Sequence, residues 1–193
     1  MININLIVAM CKNNGIGFQG KLPWNIEYDM RHFSKITKGD GFNIVIMGRK
    51  TWDSLPVIKE KRGLVGRHNF VLSTTLSFDS EDKYSHRLKT FKNIKEILDF
   101  LSCNDNLYED IWVIGGEQIY KEFLDMNIIN KCYVTYIDKN FNCDTFFPLL
   151  VSNEWNEVER NNTYNNVYDV SNVSNVCDVN YIVYERVRNE MGS

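Results

Sequence analysis

Apolar runs that are rich in β-branched residues recur along the chain and predict six strands. These runs are Ile4–Met10, Asn43–Met47, Asn69–Ser73, Ile111–Ile114, Cys132–Ile137 and Tyr181–Val187. Two weaker patterns, at His86–Lys89 and Trp155–Arg160, predict two further strands. Between them, amphipathic patterns predict one helix around Ile94–Leu101 and another around Ile119–Leu124.

The order of these elements predicts the fold class. Strands alternate with helices through the first two thirds of the chain, and strands then follow with no helix between them. This order is typical of an α/β protein. We expect one domain over residues 1–193, with a mostly parallel central sheet of about eight strands flanked by helices and an antiparallel C-terminal strand pair. The asparagine-rich stretch 161–180 is expected to form an extended hairpin loop or insert that joins the last two strands.

One carboxylate lies on the apolar side of a predicted helix between Ile26 and Ile36. The apolar stripe of this helix consists of Ile26, Met30, Phe33 and Ile36. At about 100° per residue, Asp29 falls inside the stripe, whereas Glu27 points to the opposite side. A buried carboxylate is costly unless it is paired or its pKa moves, so Asp29 is a candidate functional acid. The rigid aromatic segment Leu22-Pro23-Trp24 leads into the same region.

Composition narrows the classes of function. A formal net charge of −3 gives no long-range attraction for nucleic acid or for an acidic membrane. The first apolar run ends at Met10 and is too short to span a membrane. Five scattered cysteines form no C-x-x-C pair, which favours a reducing compartment, the cytoplasm, over a disulfide framework. The three histidines lack metal-ligand spacing, and no metal site is predicted.

Glycines and polar residues follow four of the predicted strands. They are Ala9–Gly17, Gly48-Arg49-Lys50-Thr51, Ser73-Thr74 and Gly115-Gly116. All four clusters lie at the carboxyl ends of strands, which is the edge where open α/β sheets bind ligands. The clusters that begin at Gly48 and Gly115 each lead into a predicted helix, and two helix starts of this kind fit a pyrophosphate-containing cofactor.

The segment Gly15–Gly20 formally matches the dinucleotide fingerprint G-x-G-x-x-G. We reject the match because a Rossmann turn leads directly into a helix, whereas Pro23 follows here and keeps Leu22 extended. The segment is either a flexible glycine loop or a mobile flap over a ligand, and its continuation to Trp24 and Asp29 favours the flap. Arg67, by contrast, is typical of a surface arginine by composition alone.

The ordered set of motifs resembles dihydrofolate reductase from Asn3 to Pro148. The set consists of Leu6-Ile7-Val8-Ala9, Gly15-Ile16-Gly17, Leu22-Pro23-Trp24, Asp29, Met47-Gly48-Arg49-Lys50-Thr51-Trp52, Gly66-Arg67, Ile114-Gly115-Gly116, Tyr120 and Asp144-Thr145-Phe146-Phe147-Pro148. The resemblance implies NADPH-dependent reduction of 7,8-dihydrofolate to tetrahydrofolate. It also implies catalytic roles for Asp29, which would hold the amino-nitrogen edge of the pterin, for Thr135, which would support it, and for Trp24, which would retain a water.

The resemblance implies the remaining site residues as well. The substrate pocket would be lined by Ile7, Val8, Asp29, Met30, Phe33, Leu55, Leu64, Ile114 and Thr135, with Arg67 on the glutamate α-carboxylate. In the NADPH site, the nicotinamide would lie by Ala9, Ile16, Gly17 and Tyr120. The phosphates would be bound by Arg49, Lys50, Thr51, Gly116, Glu117, Gln118 and Ile119, and the adenosine end by Ser73 and Thr74. Gly15, Gly20, Lys21 and Gly115 would also bind the cofactor. Thr74 stands where a relative carries the arginine of the 2′-phosphate, and Lys92 is the candidate replacement. The Gly115-Gly116 peptide would be cis.

Two alternatives remain open at this stage. The reductase of riboflavin synthesis is similar in architecture and cofactor, although Asp29 with Trp24 and Arg67 favours a folate. A non-catalytic ligand-binding relative is the second alternative, and retention of the polar residues that the chemistry needs argues against it. Expected partners are dihydrofolate and antifolate inhibitors, not nucleic acid or membrane. We expect a monomer unless the chain is part of a fusion to thymidylate synthase.

Overall fold

A mixed sheet of nine strands forms the centre of the molecule in the part of the chain that is described. The computed structural model describes residues 3–58, 61–78, 87–104, 107–169 and 174–187. The strands are β1 Ile4–Cys11, β2 Gly15–Gly17, β3 Trp24–Asn25, β4 Ile44–Gly48, β5 Val57–Ile58, β6 Lys61–Arg62, β7 His68–Leu72, β8 Leu88–Phe91, β9 Ile111–Val113, β10 Lys131–Ile137, β11 Thr145–Phe146, β12 Trp155–Asp169 and β13 Ser174–Arg186. The order in the main sheet is β3-β12-β13-β10-β1-β9-β4-β7-β8, and the pairs β2–β11 and β5–β6 form two small separate sheets.

The direction of the strands confirms the predicted fold class. The neighbours from β10 through β1, β9, β4 and β7 to β8 are parallel. β13 runs antiparallel to both β10 and β12. The weak strand predicted at His86–Lys89 is observed two residues later, as β8, and residue 86 lies outside the described residues.

Helices cover both faces of the sheet because the central strands are apolar on both faces. The helices are α1 Glu27–Lys38, α2 Arg49–Ser54, α3 Ile94–Ser102 and α4 Glu117–Asp125. All five residues of β4 are buried. Its Ile44 and Ile46 join the core cluster under α3 and α4, whereas Val45 and Met47 join the cluster that contains Trp52 of α2. None of the four helices in the described ranges has the length and apolar character that a bilayer span requires.

The asparagine-rich stretch extends the last hairpin, as expected, but its described part forms paired strands and not a loop. The ladder between β12 and β13 continues from Asn161 opposite Tyr181 to Tyr168 opposite Ser174. The stretch contains recurring Val, Tyr and Thr, which favour strands, and an antiparallel partner satisfies the backbone groups locally. On the other side of β12, Tyr168 and Asp169 pair with the edge strand β3. The predicted insert residues 170–173 lie outside the described residues.

A cavity-forming substitution tests the core on the α3 side of the sheet. Phe70 is fully buried, and its ring packs against those of Phe91, Phe100 and Tyr108 at centroid distances of 5.0, 5.5 and 6.2 Å. We expect Phe70→Ala to lower the free energy of unfolding by about 3–5 kcal/mol, measured by urea denaturation. The exposed Leu149 is the control, and Leu149→Ala should change the free energy of unfolding by less than about 0.5 kcal/mol. A loss at Phe70 no larger than that at Leu149 would contradict the assigned core.

Candidate active site

The polar clusters that follow β1, β4 and β9 meet at one edge of the sheet. The backbone N–H of Gly48 donates to the carbonyl oxygen of Gly115 at 2.8 Å. The hydroxyl of Tyr120, in the first turn of α4, donates to the carbonyl oxygen of Ile7 in β1 at 2.8 Å. These contacts connect β1, the end of β4 and the segment that follows β9, which are far apart in the chain.

The glycines at this edge leave no room for larger side chains. The Gly115-Gly116 peptide is cis, as the resemblance implied. Gly115 has a φ of 106°, and a Cβ there would lie 2.9 Å from the ring of Tyr120. A Cβ on Gly48 would lie 2.9 Å from the side chain of Ile119. The strand ends are therefore packed closely against the side chains of α4, which only glycine at these two positions allows.

Asp29 is buried in the first turn of α1, with only 6% of its surface exposed. The hydroxyl of Thr135 in β10 donates to Oδ1 of Asp29 at 2.6 Å. Within the described ranges, no Lys or Arg forms an ion pair with this carboxylate. Burial raises the pKa of Asp29 above its usual value, and the hydrogen bond from Thr135 opposes part of that rise. The site thus contains a buried acid whose side chain accepts a hydrogen bond from Thr135 and from no other side chain in the described ranges.

The predicted apolar stripe of α1 was wrong at Met30, which is 51% exposed. The inward face of the helix instead contains Asp29, Phe33, Ile36 and Thr37, at the i, i+4, i+7 and i+8 spacing of one helix side. Met30 lies about 100° further round. It lines a cavity of about 220 Å³ together with Leu22, Trp24, Asn25, Ile26 and Asp29. An apolar residue at the mouth of a cavity gives the same sequence pattern as a core residue.

Trp24 and Tyr181 place two buried donors near Asp29. Neither the indole Nε1 of Trp24 nor the hydroxyl of Tyr181 has a hydrogen-bond partner among the described residues. Tyr181 lies opposite Thr135 in the β10–β13 ladder, so both side chains project from the same face of the sheet. Burial raises the pKa of Tyr181, and the charge of Asp29 adds to the rise. Sequence reasoning missed Tyr181, because the pairing register of the last strand cannot be deduced from the chain alone.

The position of Arg67 contradicts the surface location that composition favoured, because only 6% of the residue is exposed. Its Nη1 donates to the hydroxyl of Thr37 at 2.7 Å and its Nη2 to the carbonyl of Val65 at 3.2 Å. The buried Nε has no partner among the described residues, and no carboxylate there pairs with the guanidinium. Burial lowers the pKa of Arg67 to about 10, so the group remains cationic at neutral pH. Thr37, which sequence reasoning missed, holds this cation against α1.

The amide of Asn69 fixes the loop that carries Arg67. Its Nδ2 donates to the carbonyl oxygens of Leu64 and Arg67 at 3.1 and 3.0 Å, and its Oδ1 accepts from the N–H of Leu64 at 2.8 Å. Leu64 packs with Phe33, Leu55, Ile7 and Ile114 on the α1 face of the sheet. These predicted pocket residues therefore lie together. Val8 does not, because its side chain joins the core cluster on the opposite face, as alternation along a strand requires.

The predicted cofactor residues lie along the same edge. Arg49 forms an exposed ion pair with Asp53 at 2.7 Å, and Lys50 is exposed beside it. At the end of β7 the hydroxyl of Ser73 accepts from the N–H of Leu76 at 3.0 Å, and Thr74 is exposed. The N–H of Ser73 donates to the carbonyl of Phe91 at 2.9 Å, which brings the exposed Lys92 close to this turn. Lys92 thus directly follows the residue that pairs with the backbone of Ser73.

The loop after β1 confirms the rejection of the Rossmann fingerprint. Gly15–Gly17 forms β2 and pairs with β11, and Phe18 and Lys21 close a tight turn at which Gly20 has a φ of 75°. No helix begins in this loop. Lys21 is exposed, and Ala9 and Ile16 are partly buried at the base of the loop. The carboxylate of Glu117, at the start of α4, accepts from the N–H of Phe146 at 3.2 Å.

Comparison with known proteins identifies relatives of the chain. The profile of the family described as dihydrofolate reductase matches residues 3–186. The chain is 39% identical to the dihydrofolate reductase of Drosophila melanogaster over 154 residues, which cover 78% of this chain and 81% of that protein. It is 36% identical to the dihydrofolate reductase of Heliothis virescens over 163 residues, 82% of this chain and 85% of that protein. It is also 35% identical over 201 residues to the bifunctional dihydrofolate reductase-thymidylate synthase of Daucus carota, which covers 96% of this chain and 34% of that protein.

The buried carboxylate of Asp29 makes the stability of the fold depend on pH. Below about pH 4, the usual pKa of aspartic acid, the group is protonated in both the folded and the unfolded chain. As the pH rises through the raised pKa of the folded state, the charge must be carried in a buried position and the free energy of unfolding falls. We expect Asp29→Asn, which keeps an oxygen for Thr135, to be more stable at neutral pH by on the order of 1–3 kcal/mol.

Urea denaturation at a series of pH values between about 4.5 and 8 tests this prediction. The advantage of Asp29→Asn should grow with pH over this range. Asp99→Asn is the control, since Asp99 forms an exposed ion pair with Lys95. A difference between Asp29→Asn and the parent that does not change with pH would show that Asp29 ionises as freely as a surface carboxylate.

Proposed function

Because the chain belongs to the dihydrofolate reductase family, we propose that Asp29 binds the pterin of 7,8-dihydrofolate and promotes its protonation, with Thr135 and Trp24 as supporting catalytic residues. The chain is an NADP-dependent oxidoreductase that reduces 7,8-dihydrofolate to 5,6,7,8-tetrahydrofolate, and so supports one-carbon metabolism. One observation carries the assignment of Asp29: a buried carboxylate accepts a hydrogen bond from Thr135 at 2.6 Å and is the acid that lines the cavity beside Trp24.

The geometry suits recognition of a flat ring with N–H donors along one edge. Oδ1 of Asp29 is held by Thr135, so Oδ2 and the second lone pair of Oδ1 are available to adjacent N–H groups of the pterin. Hydrogen bonds to a carboxylate are strengthened where water is excluded. This arrangement would fix the ring orientation and present one face of the pterin to the edge of the sheet at Ile7 and Ala9.

The same carboxylate can promote the protonation of the substrate imine that accompanies hydride transfer. When bound, NADPH supplies the hydride, and the protein must align the two rings and increase the electrophilicity of the substrate imine. Since burial raises the pKa of Asp29, the group retains a proton closer to neutral pH than an exposed aspartate does. We assign it an indirect role, through a substrate tautomer or through a water held by Nε1 of Trp24, which has no partner among the described residues.

The residues at the sheet edge fit a dinucleotide. Glycines at positions 48 and 115 let the ends of β4 and β9 pack against Ile119 and Tyr120 of α4, which brings the start of this helix to the sheet edge where parallel sheets bind ligands. We assign the nicotinamide to the edge formed by Ala9, Ile16, Gly17 and Tyr120. We assign the phosphates to the starts of α2 and α4, with Arg49, Lys50 and Thr51 on one side and Gly116 through Ile119 on the other. Ser73, Thr74 and Lys92 would hold the adenosine end, with Lys92 on the 2′-phosphate.

We assign the glutamate tail of the substrate to Arg67. Its guanidinium is buried, cationic and without a carboxylate partner among the described residues, which is the state that favours capture of a carboxylate from a ligand. We further propose that residues 1–193 form one catalytic domain that acts as a cytoplasmic monomer and binds antifolates at the pterin site. The bifunctional relatives support a fused form as the alternative to a monomer.

Replacement of Asp29 tests the central assignment. We expect Asp29→Asn to lower kcat for dihydrofolate by orders of magnitude at neutral pH, because the amide neither carries the acidic proton nor matches two N–H donors. Turnover is measured as the loss of NADPH absorbance, and the Kd for NADPH should stay near that of the parent. Asp99→Asn is the matched surface control and should retain parental turnover. Survival of turnover in Asp29→Asn at neutral pH would refute the assignment of Asp29.

Replacement of Arg67 tests the assignment of the tail. Arg67→Lys keeps the charge but loses the planar fork, so we expect the KM for dihydrofolate to rise by about 10- to 100-fold with a much smaller change in kcat. The control is a dihydropterin that lacks the glutamate tail. Parent and variant should use that substrate with the same KM. An equal rise in KM for both substrates would mean that Arg67 acts through the pocket structure, not through the carboxylate.

A further inference from the structure

Two thiols lie against each other at the base of the glycine loop. Cys11 ends β1 and is fully buried, whereas Cys143, just before β11, is partly exposed. Their Sγ atoms are 3.8 Å apart, and both residues are free thiols. We propose that Cys11 and Cys143 are a reversible modification site, at which a small oxidised disulfide such as glutathione disulfide converts the two thiols into an intramolecular disulfide that slows turnover.

The backbone around the thiols is held in place before any bond forms. The N–H of Lys12 donates to the carbonyl of Lys139 at 3.1 Å. The thiol of Cys11 donates to the side-chain oxygen of Asn13 at 2.8 Å, and the amide of Asn13 donates to the carbonyl of Phe141 at 3.4 Å. Bond formation therefore requires mainly that the sulfurs approach by about 1.8 Å, from 3.8 Å to the roughly 2.0 Å of a disulfide.

Gly15 is what allows the two sulfurs to meet. A Cβ at this position would lie 2.2 Å from Sγ of Cys143 and 3.1 Å from Sγ of Cys11. Any other residue would displace at least one of the thiols, so the start of β2 rests directly on the pair. A change in the position of Cys143 would consequently displace Gly15 and the loop that follows it.

A second set of contacts links Cys143 to the same loop. The N–H of Asp144, the next residue, donates to the carbonyl of Gly17 at 3.0 Å. The carboxylate of Asp144 accepts from the N–H of Gln19 at 2.8 Å. A disulfide would tie this network to the end of β1 and restrict the loop beside the proposed nicotinamide site. If this loop is the flap over the ligand that its sequence favours, its restriction lowers kcat.

The small disulfide is the oxidant in this exchange. The thiolate of Cys143, which is the accessible partner, attacks one sulfur of the disulfide and releases one thiol as the leaving group. The sulfur of Cys11 then attacks Sγ of Cys143 and releases the second thiol. The two cysteines lose two electrons to the small disulfide, and the protons of the two protein thiols end on the two released thiols.

The ionisation of Cys143 sets the expected rate. Burial, together with neighbouring Cys11 and Asp144, raises the pKa of the Cys143 thiol to about 11, although the hydrogen bond with the backbone of Gly17 opposes the rise. Only a small fraction is thiolate at neutral pH, so oxidation should be slow there and faster as the pH rises. The Cys11–Cys143 pair would thus respond to a sustained excess of oxidised disulfide and not to a brief one.

The test uses the complete chain incubated with excess glutathione disulfide at about pH 8, where more of the thiol is ionised. Peptide mass spectrometry should find Cys11 joined to Cys143 with the loss of two hydrogens. Turnover of dihydrofolate should fall several-fold, and dithiothreitol should reverse both changes. Cys143→Ser should show neither change. Cys103→Ser, which removes an exposed thiol elsewhere, should behave as the parent does.

Two outcomes would overturn the proposal: glutathione adducts without a Cys11–Cys143 link, or a complete link with unchanged turnover. If Cys143→Ser does not fold, Cys11→Ala provides the second variant, and the mass of the oxidised parent does not depend on either. The readouts also separate this proposal from the proposed function. An inactive reduced parent would contradict the reductase assignment, whereas an active reduced parent without the link contradicts only the thiol pair.

Discussion

The hydrogen bond between Thr135 and Asp29 is the interaction on which the candidate site depends. It joins the first turn of α1 to β10 at 2.6 Å and gives a buried carboxylate its protein partner. Without it, a charge in that position would have no protein donor among the described residues, and α1 would carry an unsatisfied acid against the sheet. The register of β10 and β13 then places Tyr181 beside the pair, so three elements define the surroundings of one functional group.

The rest of the site follows from the parallel arrangement of the strands. Because β1, β4 and β9 are parallel, their carboxyl ends lie at the same edge, and the loops that leave them converge. The contacts between Gly48 and Gly115 and between Tyr120 and Ile7 hold that edge together. The fold therefore places backbone and a few cations at the proposed cofactor site, and a buried acid and a buried arginine at the proposed substrate site.

Much of this arrangement could be predicted from the sequence. Strand and helix positions, the fold class and the convergence of the glycine clusters follow from periodicity and from the rules for parallel sheets. Asp29 was predictable because its charge interrupts an apolar stripe. Met30 was misplaced because an apolar side chain at a cavity mouth has the same signature as a core residue. Tyr181 could not be found, since the register of an antiparallel pair depends on partners distant in the chain.

Arg67 was misjudged for a related reason. Composition reports the average exposure of a residue type, whereas the burial of Arg67 depends on Thr37 of α1 and on the loop fixed by Asn69. The proximity of Cys11 and Cys143 was equally hidden, because the two residues stand far apart in the chain and their contact depends on the absence of a side chain at Gly15. Local patterns identify which residues are unusual, and tertiary contacts decide what they touch.

The pairing of β12 with β3 gives the asparagine-rich hairpin a place in the architecture of the cleft. Tyr168 and Asp169 are backbone partners of Asn25 and Trp24, so the hairpin extends the sheet as far as the segment that carries the buried indole. A deletion that shortened the hairpin would leave that segment as a bare edge, with its N–H and C=O groups open to solvent or to another chain. A stretch that looks dispensable in the sequence therefore borders the cavity that contains Asp29 and Trp24.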